Sequence, residues 1–438
     1  MSLTKKVGVI SLGCDKNRVD TEKMLAILSE KYQLTSTITD AEIVVVNTCA
    51  FLQSARQEAV EEILQVFELK KSGKLEKIIV TGCLPQKFVG EMFGDFIEVD
   101  AFLGIADYSK ILEVIDSVYL GKRVNAVGET KNEDLINRIL TTDNYAYLKI
   151  ADGCFNRCTY CLIPHIRGKF RSIEKEKLLD EVKSLGEIAE LIIVAQDTLK
   201  YGVDLYDNYG IVELLQDITA LDSVKSVRLL YCYPENITDK LIEEIKVNDK
   251  IIKYLDIPMQ HADGYILKRM ARRGNKETYL NLLKKLRDNI PNISLRSTFI
   301  TGFPGETDEH FNALLDFLKS AQLDNAGFFK YSREEGTPAY SFDNQVPAVI
   351  KDRRVRKLYS EQKKISRKKL SSLKNSTINV LAEGFDEDKL CYVGRAYFQA
   401  PSVDGVVYFC SETEVEYGKT VDVLITDTNA YDLFGNRV

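Results

Sequence analysis

Histidine is scarce in this sequence: His165, His261 and His310 are the only three in 438 residues. A mixed cysteine–histidine zinc site therefore has few ligands to draw on. No apolar run approaches the roughly 18–20 residues needed to cross a membrane as a helix. The first residues, Met-Ser-Leu-Thr-Lys-Lys-Val-Gly-Val-Ile, pass directly into a strand pattern without the zones of a secretory signal. A strong charge of either sign is also missing: 59 Lys and Arg face 65 Asp and Glu, a net charge of −6. That excludes a chain-wide electrostatic footprint for nucleic acid. Nine cysteines in a long chain without an export signal point to a reducing compartment, where thiols serve metals or catalysis more often than disulfides. The expectation is a cytoplasmic protein with no membrane contact, and nothing in the sequence requires more than a monomer.

What charge there is lies at one end. Residues 371–438 hold eleven acidic and five basic residues, so this stretch carries the whole negative excess. An acidic end domain is a poor fit for a phosphate backbone and a good one for a basic partner.

Six of the cysteines fall into two sets of three. Cys14, Cys49 and Cys83 are spaced 35 and 34 residues apart, about one βαβ period. Each follows a short β-branched run: Val7–Leu12, Ile43–Asn47 and Ile78–Thr81. Between the runs lie amphipathic stretches, Asp20–Tyr32 and Ser54–Leu69, so the order implies a parallel βαβ sheet. Ligands of such sheets bind beyond the carboxyl ends of the strands, where all three sulfurs would gather. Free cysteines also occur at buried strand ends as packing residues, and that alternative stands for any one of them. The second set is the tight run Cys154-Phe-Asn-Arg-Cys158-Thr-Tyr-Cys161. Three thiolates can hold an iron–sulfur cluster while leaving one iron without a protein ligand. A zinc knuckle would want a fourth Cys or His at close spacing.

The fold class expected is α/β with three parts. Residues 1–125 form a βαβ parallel-sheet domain, and 126–139 form a polar linker. Residues 140–370 form a (β/α) partial TIM-type barrel, with strands at Leu191–Ala195, Ser226–Leu230, Tyr254–Ile257, Ser297–Thr301 and Ala326–Tyr331. Helices are expected at Ser172–Leu185, Lys276–Asn289 and Asp308–Ala321, followed by a basic helix over Lys351–Lys369 with a solvated face. Residues 371–438 alternate and carry turn residues, which predicts a small antiparallel β-barrel. Cys154 follows the first strand of the central series, as a barrel site requires.

The Cys-x3-Cys-x2-Cys spacing, with Tyr160 before its last cysteine, resembles the signature of radical S-adenosylmethionine (SAM) enzymes. The resemblance implies that Cys154, Cys158 and Cys161 hold a [4Fe–4S] cluster chelated by SAM, with radical chemistry as the result. It further implies SAM contacts near Gln196 and Asp197, near Gln260, and along the turn Gly302, Gly305 and Glu306. Across its full length the chain resembles the radical SAM methylthiotransferases, which join a three-cysteine domain, a radical SAM barrel and a small barrel called TRAM. Val393-Gly394-Arg395 and Ala400-Pro-Ser-Val-Asp404-Gly405 are similar to TRAM sequence. By that resemblance Cys14, Cys49 and Cys83 bind a second [4Fe–4S] cluster carrying the sulfur to be donated, and a flavodoxin- or ferredoxin-type protein supplies electrons.

Leu12-Gly-Cys-Asp15-Lys16-Asn17, Ala151-Asp-Gly-Cys154 and Val194-Ala-Gln-Asp197-Thr198 are similar to the branch that modifies an aspartate β-carbon of a small-subunit ribosomal protein (protein twelve). Leu199-Lys200 departs from that branch, where a Ser or Thr and an Arg are expected. The sister MiaB branch modifies an adenosine of tRNA, and the acidic end domain disfavours it. A non-catalytic iron–sulfur electron carrier is the alternative of another class; it leaves the SAM-contacting turns unexplained. Cys391 and Cys410 read as packing residues, while Cys232 follows a barrel strand and could approach the site. Asp15 and Asn17 are candidates either to orient the first cysteine set or to cap a helix. The catalytic residue that receives or passes hydrogen is not legible.

Overall fold

The computed structural model describes residues 5–131 and 136–438. The first domain is a six-stranded sheet, parallel throughout, of β1 (Lys6–Ser11), β2 (Gln33–Thr35), β3 (Ile43–Thr48), β4 (Lys77–Gly82), β5 (Ala101–Leu103) and β6 (Val124–Ala126). Its order is β2-β1-β3-β4-β5-β6. β3 is buried at every residue, which is what a continuous β-branched run signals when helices cover both faces. Ile43 and Val45 pack with Met24 and Leu28 of the helix Asp15–Ser29. Val44 and Val46 face the other way, onto Ile63 and Val66 of the helix Gln53–Lys71. The three-residue strands β2, β5 and β6 are too short to leave a periodic signal in the sequence.

The central domain opens with β7 (Tyr145–Lys149) and a two-stranded antiparallel clasp of β8 (Ala151–Asp152) and β9 (Arg171–Ser172). β10 (Glu190–Val194), β11 (Val227–Leu229), β12 (Ile251–Asp256), β13 (Ser294–Thr301) and β14 (Asn325–Lys330) follow. With β7 they make a parallel sheet ordered β14-β13-β12-β11-β10-β7, six strands of an open barrel. Tyr147, Ile192, Val194, Leu230 and Tyr254 share an apolar cluster with Val19 of the first domain and Ala400 of the last. Both neighbours therefore fill the partial barrel.

The helices Lys276–Asn289 and Asp308–Ala321 have the limits read from sequence, because Asn275 and Thr307 cap them by accepting from the Thr278 and His310 amides. Shorter helices at Ile211–Thr219, Asp239–Val247 and Gly264–Arg269 gave no clear sequence signal. The linker stretch departs from expectation where it is described. Arg138 is buried beside Glu22 and Glu181, and the Ile139 amide donates to the Glu22 carbonyl at 3.0 Å. Residues 132–135 of that stretch lie outside the described residues. The basic helix spans Ala348–Ser371; Leu358 and Ile365 are buried, while Arg353, Arg356, Lys357, Lys363, Lys364 and Lys368 face solvent.

The last domain is a closed barrel of β15 (Thr377–Asp386), β16 (Cys391–Arg395), β17 (Val407–Cys410), β18 (Thr420–Thr428) and β19 (Leu433–Arg437), ordered β15-β16-β17-β19-β18. The expected small antiparallel barrel is met in four of its pairings, while β17 and β19 run parallel. An odd number of strands in a ring cannot alternate direction throughout, so one parallel pairing must close it. Cys391 is buried, but Cys410 is exposed, because it ends its strand with its side chain outward rather than in the core. Among the described residues no helix is long and apolar enough to cross a membrane.

Candidate active site

Cys14, Cys49 and Cys83 stand at the carboxyl ends of β1, β3 and β4, three strands adjacent in the sheet. Two of them follow glycines with positive φ, Gly13 at 94° and Gly82 at 97°. A Cβ at Gly13 would fall 2.7 Å from Cys49 Cβ, and one at Gly82 would fall 2.5 Å from the Thr48 carbonyl oxygen. Glycine here allows both the turn and the close approach of neighbouring strand ends. Asn17 ties these ends together, donating to the Leu12 carbonyl at 3.0 Å and the Thr48 carbonyl at 2.9 Å. Cys83 Sγ donates to Asn17 Oδ1 at 3.7 Å.

The capping role open to Asp15 and Asn17 is corrected. Cys14 holds the N-cap position of the helix Asp15–Ser29 and forms no side-chain cap. Asp15 instead accepts from the Tyr231 hydroxyl at 3.2 Å, and Lys16 Nζ lies 3.5 Å from the centre of the Tyr231 ring.

The second set is local. The loop from Gly153 runs over the carboxyl end of the central sheet; Gly153 has φ 76°, and a Cβ there would meet the Lys169 carbonyl oxygen at 2.1 Å. Cys154 Sγ accepts from the Asn156 backbone and side-chain amides, each at 3.4 Å, and Cys161 Sγ accepts from the Ile163 amide at 3.5 Å. Thr159 anchors the loop by donating to the Arg269 carbonyl at 2.8 Å.

All six thiols are free of disulfides. Burial pushes the Cys83 thiol up to about 12 and the Cys154 thiol up to about 11. Without a bound metal these groups stay protonated at neutral pH, so thiolates there need metal to hold them. Among the described residues no three His, Cys, Asp or Glu converge on a single ion. A four-iron cluster asks for a wider set, since each thiolate binds a different iron. The donor sets fit iron–sulfur clusters.

The residues expected around SAM lie at the carboxyl ends of the central strands. Tyr160 is packed with Phe303 and Met270. Gln196 Nε2 donates to Asp152 Oδ1 at 2.9 Å, and its Oε1 is buried without a partner. Burial raises the Asp197 carboxyl to about 6, and its oxygens accept from Asn156 at 2.9 Å and Asn236 at 3.2 Å. Gln260 has φ 69° and bridges β13 through Thr298 and Ile300.

Gly302 and Gly305 also have positive φ, 75° and 86°. Glu306 points into its own turn: Thr301 donates at 2.7 Å, the Gly302 amide at 2.6 Å and Arg354 at 2.9 Å. Its carboxylate is occupied by protein donors, so it shapes the turn from within. Cys232 is buried at the end of β11, its amide bonded to the Asp256 carbonyl.

Sequence reasoning missed the buried polar network between the two sets. Arg167 reaches Asp152 at 2.7 Å, Asn17 at 2.6 Å and Asp20 at 3.2 Å. Lys149 pairs with Asp20 and, at 3.4 Å, with Asp152. One signal was available: Lys149 interrupts an apolar strand run, and a buried lysine needs a partner. A cavity of about 500 Å³ beside Cys14 is lined by Asp15, Arg18, Tyr147 and Ser402, from all three domains.

Comparison with known proteins agrees with this architecture. Residues 6–104 match the Uncharacterized protein family UPF0004, 148–318 the Radical SAM superfamily, and 376–438 the TRAM domain. A ribosomal protein uS12 methylthiotransferase RimO from Thermoanaerobacter sp. (strain X514) is 45% identical over 98% of this chain and 99% of its own. The chain belongs to the RimO family of radical SAM methylthiotransferases. A RimO from Clostridium botulinum (strain Hall) is 44% identical over 98% of this chain and 97% of its own. Among solved structures, the radical SAM methyltransferase TsrM from Kitasatospora setae, with cobalamin and a [4Fe–4S] cluster bound, shares the fold with a TM-score of 0.56. It is 13% identical and covers 77% of each chain. Membership of the radical SAM superfamily brings SAM and one [4Fe–4S] cluster.

Proposed function

We propose that this chain transfers a methylthio group to the β-carbon of an aspartate in ribosomal protein uS12, as a cytoplasmic monomer using SAM and two [4Fe–4S] clusters. One observation carries the reading. Two three-thiol sets lie at the carboxyl ends of two parallel sheets and share a buried network, in a chain 45% identical to a uS12 methylthiotransferase. Cys154, Cys158 and Cys161 would hold the SAM-binding cluster, and Cys14, Cys49 and Cys83 the auxiliary one. When bound, these groups supply radical generation and a carrier for sulfur.

The chain's own residues supply placement. Gln196 Oε1, buried and unpartnered, is an acceptor for the SAM ammonium. Gly302 and Gly305 let the turn backbone approach the nucleoside, and Gln260 holds the neighbouring strand end against β13. Asp197 keeps the Cys154 loop in place through Asn156.

The acidic barrel is the docking face for the basic ribosomal protein. Glu412, Glu414, Glu416, Asp422 and Asp427 are exposed, and such a field steers a cationic partner. Electrons come from a flavodoxin- or ferredoxin-type donor.

The test is incubation of the anaerobically reconstituted chain with SAM, sulfide and reductant, offering uS12 and tRNA in parallel. A methylthio mass increase on a uS12 aspartate is expected. Modification of tRNA alone, or iron without SAM cleavage, would overturn the reading.

A further inference from the structure

We propose that Arg167 is the positioning residue that joins the two cysteine sets, and that its guanidinium sets the reduction potential of the auxiliary cluster. The proposal rests on Cys14, Cys49 and Cys83 being that cluster's ligands. Arg167 follows the short helix Ile163–Ile166, directly after the Cys154–Cys161 loop. Its side chain is 1% exposed, among the largest fully buried groups of the molecule.

One edge of the guanidinium donates to Asn17 Oδ1 at 2.6 Å and Asp20 Oδ2 at 3.2 Å, both in the first domain. The other edge donates to Asp152 Oδ2 at 2.7 Å, in the central domain. Asp152 in turn accepts from the Gly153 amide at 2.9 Å and from Gln196 at 2.9 Å. A single planar fork thus connects the strand ends of one set to the loop and candidate SAM contact of the other.

The guanidinium and Cys83 Sγ both donate to Asn17 Oδ1, at 2.6 Å and 3.7 Å, which sets the cation beside that thiol. At salt-bridge distance, two cations, Arg167 and Lys149, face two anions, Asp20 and Asp152. A metal-bound Cys83 thiolate adds a further anion beside the guanidinium. A fixed cation at a cluster ligand favours the reduced state, because each added electron deepens the negative charge it faces. Lysine keeps the charge but not the fork that spans both domains.

The test uses the full chain carrying Cys154, Cys158 and Cys161→Ala, reconstituted anaerobically so that only the auxiliary cluster remains, with Arg167→Gln and Arg167→Lys added to it. The midpoint is read by electron-paramagnetic-resonance redox titration. Arg167→Gln is expected to shift it negative by about tenfold in the reduced-to-oxidised ratio, ~59 mV for one electron. Arg167→Lys is expected to keep most of the parent midpoint.

An unchanged midpoint in Arg167→Gln with iron retained overturns the proposal. So does a lysine variant displaced as far as the glutamine one, which would assign the effect to geometry alone. If Arg167→Gln cannot hold iron, a lysine variant with iron and the parent midpoint gives the supporting result; loss of iron from both overturns it. A parent that binds no iron overturns the ligand assignment itself, a different outcome from an unmoved potential.

Discussion

The two cysteine sets are built in opposite ways. Cys154, Cys158 and Cys161 come from one loop, with Gly153 as its turning point and its own backbone amides meeting two of the sulfurs. Cys14, Cys49 and Cys83 come from three strands and meet only because β1, β3 and β4 are neighbours. A local set is specified by the chain's few nearby torsions. A dispersed set depends on sheet order, and on residues such as Asn17 that hold one strand end to the next. The first resists distant disturbance, while the second reports on the whole domain.

The largest expected effect separates the sets directly. Replacing Cys154, Cys158 and Cys161 by alanine, or Cys14, Cys49 and Cys83, should lower reconstituted iron from about eight per chain to about four in either case, as two four-iron centres require. Wild-type iron of about four that survives loss of Cys14, Cys49 and Cys83 would remove the dispersed site.

Next come the two glycines. Gly82→Ala should abolish iron at the dispersed set and Gly153→Ala at the local set, each leaving the other loaded. Both place a Cβ within 2.5 Å of a backbone oxygen, a clash added to roughly 1–3 kcal/mol of backbone strain. Iron analysis in the two triple-alanine backgrounds checks it, and crossed effects would break the comparison.

A third change touches neither set. Burial opposes ionisation of Glu190, but Arg228 and Arg395 override it and hold the carboxylate below its ordinary range. A lowered value contributes stability above the unfolded value, 4.5, and loses it as pH falls through the folded one. Glu190→Gln should loosen the end barrel by ~3–5 kcal/mol at neutral pH while both iron sites stay full. Between pH 5 and 3 the wild type should lose thermal stability faster than the variant. Equal pH slopes would show that this ion pair does not dock the barrel.

The smallest effect sharpens the contrast. Asn17→Ala removes the bonds to the Leu12 and Thr48 carbonyls and the acceptor shared by Arg167 and Cys83, at a cost of about 1–3 kcal/mol for each buried group left unsatisfied, and should weaken iron retention at the dispersed set alone. Asn156→Ala, which releases the Cys154 loop from Asp197, should weaken iron retention at the local set less, since backbone amides still meet Cys154 and Cys161. Chelator challenge of the two variants measures the difference.

Much of the fold was legible because burial leaves a period. β3 reads as a strand from the β-branched run Ile43–Asn47 and as parallel from its alternation with helices, and the capped helices Lys276–Asn289 and Asp308–Ala321 match the sequence limits to the residue. The short strands β2, β5 and β6 lacked enough residues to show one. The charge reading was coarser than the molecule. Asp404 and Glu383 count toward the acidic tail, yet Asp404 turns inward to accept from the Tyr254 hydroxyl at 2.7 Å and Glu383 pairs with Arg395 at 2.7 Å. Composition counts charges without saying which face water.

By itself the sequence determined the six thiols, the α/β repeat and the closing β-barrel, because cysteine spacing and hydrophobic period are properties of neighbours along the chain. Only the tertiary structure decided that β1, β3 and β4 lie side by side, that β17 and β19 run parallel, and that Arg167 lies between Asn17 and Asp152. Those residues are separated by 150 and 15 positions. No local preference records such distances; sheet order and the need of a buried guanidinium for partners on every side bring them together.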